Sequence, residues 1–420
     1  MACATAALVA CGGGGGGGDS ANVRLVNATL THTSLSLLAN ATSVIATDAV
    51  DTVSSYVGVP TGSPALQVND STSGAVLATT APTVAGGQHF ALVAYESGGI
   101  VRTAVIAEDT VAPTTGTAAL RIFDAASDAG AIDVYVTDPA VDITTLSSPT
   151  FSFASSTSVQ ASAFLSFGPG TYRIRVTGAG NPSDLRLDIP SVALASQQIA
   201  TAILTPTTGG TLANGSVLIQ QGEYTASRNT TARVRLAAAV SGNAAVTASA
   251  GTTAIGTAVV APAIGAYTNV PAGSAINVSV NGASIGAPAA ALAAGSDTTL
   301  LVYGDPGSAT ASLIADDNHL PALTTNFKLR LLNGVTGAAI PLTLDVNFAV
   351  VASNVAPGSA STYAVVSAGT AGSLTHIDVT SPASLTPIYT ADVPVPGNAV
   401  FTLFMLGDAA SPIHLLRKDR

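Results

Sequence analysis

The sequence is poorest in what enzymes and nucleic-acid binders use most: charge, thiols and basic side chains. Only 9% of its 420 residues are charged, against about a quarter in an ordinary soluble domain. Lysine occurs only at Lys328 and Lys418. That supply excludes a basic face for nucleic acid and a polybasic patch for an anionic bilayer. Fourteen basic side chains face twenty-four acidic ones, giving a net charge of −10. The only cysteines are Cys3 and Cys11. Everything after them has no disulfide and must be held by hydrophobic cores. Tryptophan is absent, which removes the large aromatic on which sugars commonly stack. No window of 18 or more residues is continuously apolar, so no spanning helix is predicted. The charge-free stretch 236–296 comes closest, but Pro262, Pro271 and Pro288 interrupt it. Disorder is excluded by the opposite excess, since 47% of residues are hydrophobic.

What is present begins with an address. Met1-Ala2-Cys3-Ala4-Thr5-Ala6-Ala7-Leu8-Val9-Ala10-Cys11 is followed by seven glycines. The Leu-Val-Ala-Cys ending is similar to the lipobox of bacterial lipoprotein signal peptides. That resemblance implies cleavage before Cys11 and acylation of its sulfur and new amino group. Acyl chains contribute about 0.8 kcal/mol per buried methylene, so two or more hold a protein on a bilayer. The apolar region is short and no Lys or Arg precedes it, unlike an ordinary secretory signal. The glycine run reads as a flexible tether. Gly12 after Cys11, rather than Asp, resembles lipoproteins sorted to the outer membrane.

Internal repetition is the strongest signal. A strand-like opening recurs at Val23-Arg24-Leu25, Leu120-Arg121-Ile122, Val234-Arg235-Leu236 and Leu329-Arg330-Leu331, with arginines 97, 114 and 95 positions apart. A Pro/Gly turn follows in each copy, as at Pro60-Thr61-Gly62 and Gly168-Pro169-Gly170. Each copy ends near an apolar run, among them Phe90-Ala91-Leu92-Val93-Ala94-Tyr95 and Phe401-Thr402-Leu403-Phe404-Met405-Leu406. Between these landmarks the period is two, as in Ile132-Asp133-Val134-Tyr135-Val136 and Ile276-Asn277-Val278-Ser279-Val280. Such alternation predicts half-exposed strands. Gly, Pro, Asn and Asp punctuate them at hairpin spacing.

The expected fold is therefore all-β: four tandem immunoglobulin-like β-sandwich modules of about seven short strands each. The expected boundaries are a signal remnant and tether at 1–20, then modules at 21–113, 114–227, 228–322 and 323–420. Short joints predict a semi-rigid string.

Module two carries a family resemblance. Its Leu120-Arg121-Ile122-Phe123-Asp124-Ala125-Ala126-Ser127-Asp128-Ala129-Gly130-Ala131-Ile132-Asp133-Val134-Tyr135-Val136 resembles the opening of the bacterial domain of unknown function 4397. Gly168-Pro169-Gly170-Thr171-Tyr172-Arg173-Ile174-Arg175-Val176 does so too. The other copies lack the Asp-Val-Tyr-Val signature and match more loosely. The resemblance implies a secreted or lipid-anchored protein with tandem domains. It implies no activity and no catalytic residue.

Candidate chemistry is thin. Gly282-Ala283-Ser284-Ile285-Gly286 fits a hydrolase elbow, with Asp305, Asp316 and His319 following in the required order. Asn281-Gly282 after an alternating strand reads as a hairpin instead. His32, His89, His319, His376 and His414 include no i, i+4 pair for a helical zinc site. The glycine run meets a phosphate-loop pattern only trivially, with no strand before or helix after it. Asp124, Asp128, Asp133, Asp138 and Asp142 offer oxygens in the manner of a calcium loop, or serve as turn residues bonding their own backbone. Arg24, Arg121, Arg235 and Arg330 are expected to point to solvent, their stems covering apolar surface. Tyr95 and Tyr303 recur at one repeat position and read as core edge.

No catalytic, cofactor-binding or metal residue is assigned, no cofactor is expected, and Cys11 is the expected lipidation site. The reading is a non-enzymatic, lipid-anchored bacterial cell-envelope protein, at the outer membrane, presenting its modules as a structural or adhesive stalk. The alternative is a polysaccharide- or protein-binding surface module. The expected partners are the membrane, through Cys11, and a cell-surface glycan or protein.

Overall fold

The computed structural model describes residues 20–337, 340–370 and 372–420. They form an all-β protein of repeated sandwiches. Among the described residues there is no α-helix, only the 3₁₀ turns Ser127–Ala129 and Ile143–Thr145. Two compact units are distinguished. One holds the chain up to Ala94 with Val101–Val111, the other Tyr95–Ile100 with Ala112–Arg420.

The first module shows the plan. Its eight strands are Ser20–Asn27, Ser34–Ala39, Thr42–Ala49, Val57–Pro60, Leu66–Asp70, Val76–Thr80, His89–Ser97 and Ile100–Ala107. One sheet has the order fourth, first, seventh, eighth; the other has third, second, fifth, sixth. The first and seventh strands run parallel, Arg24 opposite Ala91, while the first–fourth, second–third, second–fifth and fifth–sixth pairs are antiparallel. The other three modules repeat both sheets, with the fourth strand split into two short segments in each and, in the second module, a further strand Tyr224–Ser227 on the edge of the first sheet. An immunoglobulin constant domain arranges seven strands as ABED and CFG. This eight-strand order, with its central parallel pair, differs from that.

Alternation does what it should on the second sheet. Ser34–Ala39 buries Leu35, Leu37 and Ala39, and Thr375–Thr380 buries Thr375, Ile377 and Val379, with the residues between half-exposed. The first and seventh strands depart from it. Asn326–Thr336 is buried at every residue after the first, and Ala399–Asp408 at every residue before the last. A parallel central pair tends to have both faces covered, and then reads as a continuous apolar run.

In each module the two sheets close on their own core. The first centres on Leu25, Leu37, Val68 and Leu92, the second on Ile122, Val134, Val176 and Ala202. The third centres on Leu236, Val246, Val278 and Leu300, the fourth on Leu331, Leu344, Ile377 and Leu403. A fifth apolar layer lies between modules. Ala237, Ala239, Leu301, Leu332, Phe404 and Leu406, all 0% exposed, join the outer faces of the third and fourth modules. These two modules do not follow each other as beads on a string, as the short joints suggested. Their first sheets lie face to face.

Gly334 makes that approach close. A Cβ there would sit 2.8 Å from Leu406 Cδ2, 3.0 Å from Ala239 Cβ and 3.1 Å from Leu301 Cδ1. Even a methyl group there requires the Leu406 and Leu301 tips to turn aside and Ala239 to give by a few tenths of an ångström.

Candidate functional site

The repeated arginines, expected in solvent, are the first correction. Arg24 is 3% exposed, Arg235 and Arg330 are 2% exposed, and Arg121 is half-buried. Each guanidinium rests on an aromatic ring that immediately precedes the fourth-strand segment of its own module. Arg24 lies over Tyr56 at 5.1 Å, Arg121 over Phe164 at 4.6 Å, Arg235 over Tyr267 at 4.5 Å and Arg330 over Tyr363 at 4.6 Å. The parallel register sets a threonine opposite three of them: Thr201, Thr299 and Thr402. Each arginine Nε donates to that hydroxyl at 2.9–3.1 Å. The first module has Ala91 there, and Arg24 Nε donates instead to Glu108 Oε2 at 2.8 Å. Tyr56 donates to the same oxygen at 2.5 Å.

The third and fourth modules share these groups across their joint layer. Arg330 of the fourth donates to Asp316 of the third, and Arg235 of the third to Asp419 of the fourth. Asp316 also accepts from Tyr267 at 2.6 Å and Thr299 at 2.7 Å, and Asp419 from Thr402 at 2.5 Å. Burial opposes the charge on Arg235, yet Tyr267, Asp419 and Asp316 outweigh it and hold the guanidinium above its usual range. Tyr267 is pushed well above the ordinary tyrosine range, by burial and then by Asp316. Charges with this much pairing are tolerated away from water, and they fix the partner more than they add stability.

Ser284 lies in the two-residue strand Ala283–Ser284, exposed. Asn281 and Gly282 before it have φ of 50° and 83°, the paired positive values of a tight hairpin turn. The strand-to-helix elbow a nucleophile needs is not formed. Asp305 accepts from Ser241 at 2.6 Å, Asp316 belongs to the arginine cluster, and His319 Nδ1 meets Asp317 at 2.5 Å. The four residues form no triad.

The five aspartates of module two disperse in the same way. Asp124 accepts from the Ala126 N–H, and Asp133 from Ser152 and the Gly180 N–H. Asp142 caps the turn Ile143–Thr145 through the Thr144 N–H. Asp138 is exposed and Asp128 buried. No cluster of three or more possible metal ligands exists among the described residues. His32, His89, His319 and His376 each meet an aspartate at 2.5–3.0 Å, and His414 lies against the Tyr389 ring at 4.3 Å. Tyr95 is buried and Tyr303 packs on the layer between modules three and four. Cys11 and the glycines after it lie outside the described residues.

Asp124 is 3% exposed, and burial pushes its carboxyl up to about 6. The folded state then holds that proton more tightly than the unfolded chain. The associated stability is full below about pH 4 and lost as pH rises through 6. Asp124→Asn keeps the acceptor for Ala126, so it should stabilise the protein at pH 7.5, by up to about 3 kcal/mol. At pH 4 it should change little. Melting curves at the two pH values check this, and an equal shift at both would refute it.

One cleft accompanies the arginine cluster. It has a volume of about 450 Å³ and lies where the second, third and fourth modules meet. Arg233, Arg235, Arg417 and Lys418 are in its walls, with Asp184 and Asp419.

The comparison that bears on identity is one of sequence. Residues 21–135 match the family model of the domain of unknown function DUF4397. The DUF4397 match covers module one and runs into the second strand of module two. It includes 120–135, where the resemblance is carried, and stops before 168–176. The description attached to DUF4397 names no activity. No curated protein matches the chain. A solved structure of a "putative cell adhesion protein" from Bacteroides uniformis is similar at 13% identity, over 49% of this chain and 99% of that one. Its TM-score is 0.21, and at that level the likeness carries no argument.

Proposed function

We propose that this is a non-enzymatic cell-envelope protein, held on a bacterial outer membrane by acylated Cys11. Its β-sandwich modules would serve as a structural or adhesive stalk. The observation that carries the reading is the sealed layer between the third and fourth modules. Leu332, Phe404 and Leu406 close it, and the exchanged carboxylates Asp316 and Asp419 fix its partner. A sealed layer fixes the third and fourth modules on each other, which suits a structural role. The glycines after Cys11 supply the tether. A second reading, a surface that binds polysaccharide or protein, is favoured by the charged cleft among modules two to four.

The anchor is tested by acyl labelling and membrane fractionation of a Cys11→Ser variant in a bacterial host. Labelling should vanish, and the protein should leave the membrane fraction. Two acyl chains make binding effectively stable where a single one is marginal, so the change should be near complete. Unchanged labelling and partitioning would reject the anchor.

A further inference from the structure

We propose that the cleft among the second, third and fourth modules is a binding site for a carboxylate-bearing saccharide. It goes beyond the stalk, resting on that reading only for where the ligand is met.

The first ground is charge. The chain has fourteen cationic side chains and a net charge of −10, yet four of the fourteen line this one cleft. Most charges in the walls are already matched. Arg233 is paired with buried Asp297 at 3.1 Å, Arg235 with Asp419, and Asp184 with Arg186 at 2.7 Å. Arg417 and Lys418 form no ion pair among the described residues, and both are exposed on the last strand of the fourth module. Neighbours on a strand face opposite ways, Arg417 on the face of Thr402 and Lys418 on that of Phe401, so this pair adds one unmatched positive charge to the cleft. Beside it, Arg235 Nη2 is buried with no hydrogen-bond acceptor among the described residues, its ion-pair neighbour Asp316 lying 3.7 Å away. The site therefore suits a singly charged anionic group.

The second ground is the rest of the wall. Asn269 gives its amide N–H to the Leu185 carbonyl at 2.6 Å, which leaves its side-chain oxygen to accept. Asn181 uses its side-chain oxygen for the Ser183 N–H at 3.2 Å, which leaves its amide N–H to donate. Ser183 adds a hydroxyl to the same wall. A bare carboxylate only accepts, and would leave the Asn269 oxygen unused. A sugar hydroxyl both donates and accepts, and matches Asn269 and Asn181 together. The cleft volume falls in the range of small-molecule sites. A uronate unit, with one carboxylate and several hydroxyls, fits both grounds.

The test is calorimetric titration of the full chain with trigalacturonate, with neutral maltotriose and with inorganic phosphate. The variants are Arg417→Ser/Lys418→Ser and, separately, exposed Asn269→Ala. Trigalacturonate should bind, more weakly as salt is raised, with maltotriose and phosphate at least about tenfold weaker. The double variant should lose about tenfold or more at an unchanged melting temperature, and Asn269→Ala about threefold or more. Failure of trigalacturonate to bind overturns the proposal, as does binding that both variants retain. Equal binding of phosphate would reduce the cleft to a simple anion site, and equal binding of maltotriose would remove the role of charge; either rejects it. The chain in solution carries this assay without its acyl group, so a failed anchor would leave the outcome untouched.

Discussion

Asp316→Ala is expected to lower the melting temperature of the unit containing modules two to four by on the order of 10 °C. The carboxylate has 0% side-chain exposure and accepts from Tyr267, Thr299 and Arg330. Arg235 Nη2 lies a further 3.7 Å away. Removing it leaves the Arg330 guanidinium without a carboxylate, held by the Ala315 carbonyl at 2.8 Å, the Thr402 hydroxyl at 3.1 Å and the Tyr363 ring at 4.6 Å. Breaking a buried ion pair on one side costs about 3–5 kcal/mol, because the remaining charge stays out of water. Replacing both partners by apolar groups removes that penalty. Asp316→Leu with Arg330→Met should therefore be much less damaging than Asp316→Ala alone. Scanning calorimetry of the full chain at pH 7 reads both. A shift under about 2 °C for Asp316→Ala would mean the carboxylate is solvated and the buried cluster is misread.

Phe404→Ala should cost a comparable amount, about 3–5 kcal/mol, but with a different signature. Phe404 and Leu403 are neighbours on one strand and face opposite ways. Leu403 enters the core of the fourth module, while Phe404 enters the layer shared with the third. Phe404 also lies 5.0 Å below the Arg235 guanidinium. Leu403→Ala should lower stability while the two modules still melt together. Phe404→Ala should uncouple them, so that the transition broadens or splits and the calorimetric enthalpy exceeds the van't Hoff value. A single sharp transition with a loss under about 1 kcal/mol would mean that the modules are not joined through this layer.

The two substitutions also mark where sequence reading stopped. Strands half-buried on one face, such as Ser34–Ala39 and Thr375–Thr380, were legible because alternation is a local property of a pleated chain. The Asn281-Gly282 turn was legible for a similar reason, since few residues adopt positive φ readily. The apolar runs around Leu92 and Leu403 were seen as buried without any sign of what covers their second face. The repeat of the arginines is legible in the sequence, but their burial is not, because a strand taken alone shows nothing that covers its outer face. Their partners were visible only in retrospect: an aromatic before the fourth strand, and a carboxylate at the end of the last strand, in Glu108, Asp316 and Asp419.

From its residues alone, this chain was committed to strands, to a fourfold repeat and to cores built without disulfides, because period, turn chemistry and cysteine placement act over a few neighbours. Which sheet faces which, whose carboxylate neutralises Arg235, and that Asn181, Asn269 and Arg417 line one cleft are decided only by the assembled modules. Those pairings join residues as far apart as Arg235 and Asp419. They follow from how two covered faces fit, a fact that no local pattern encodes.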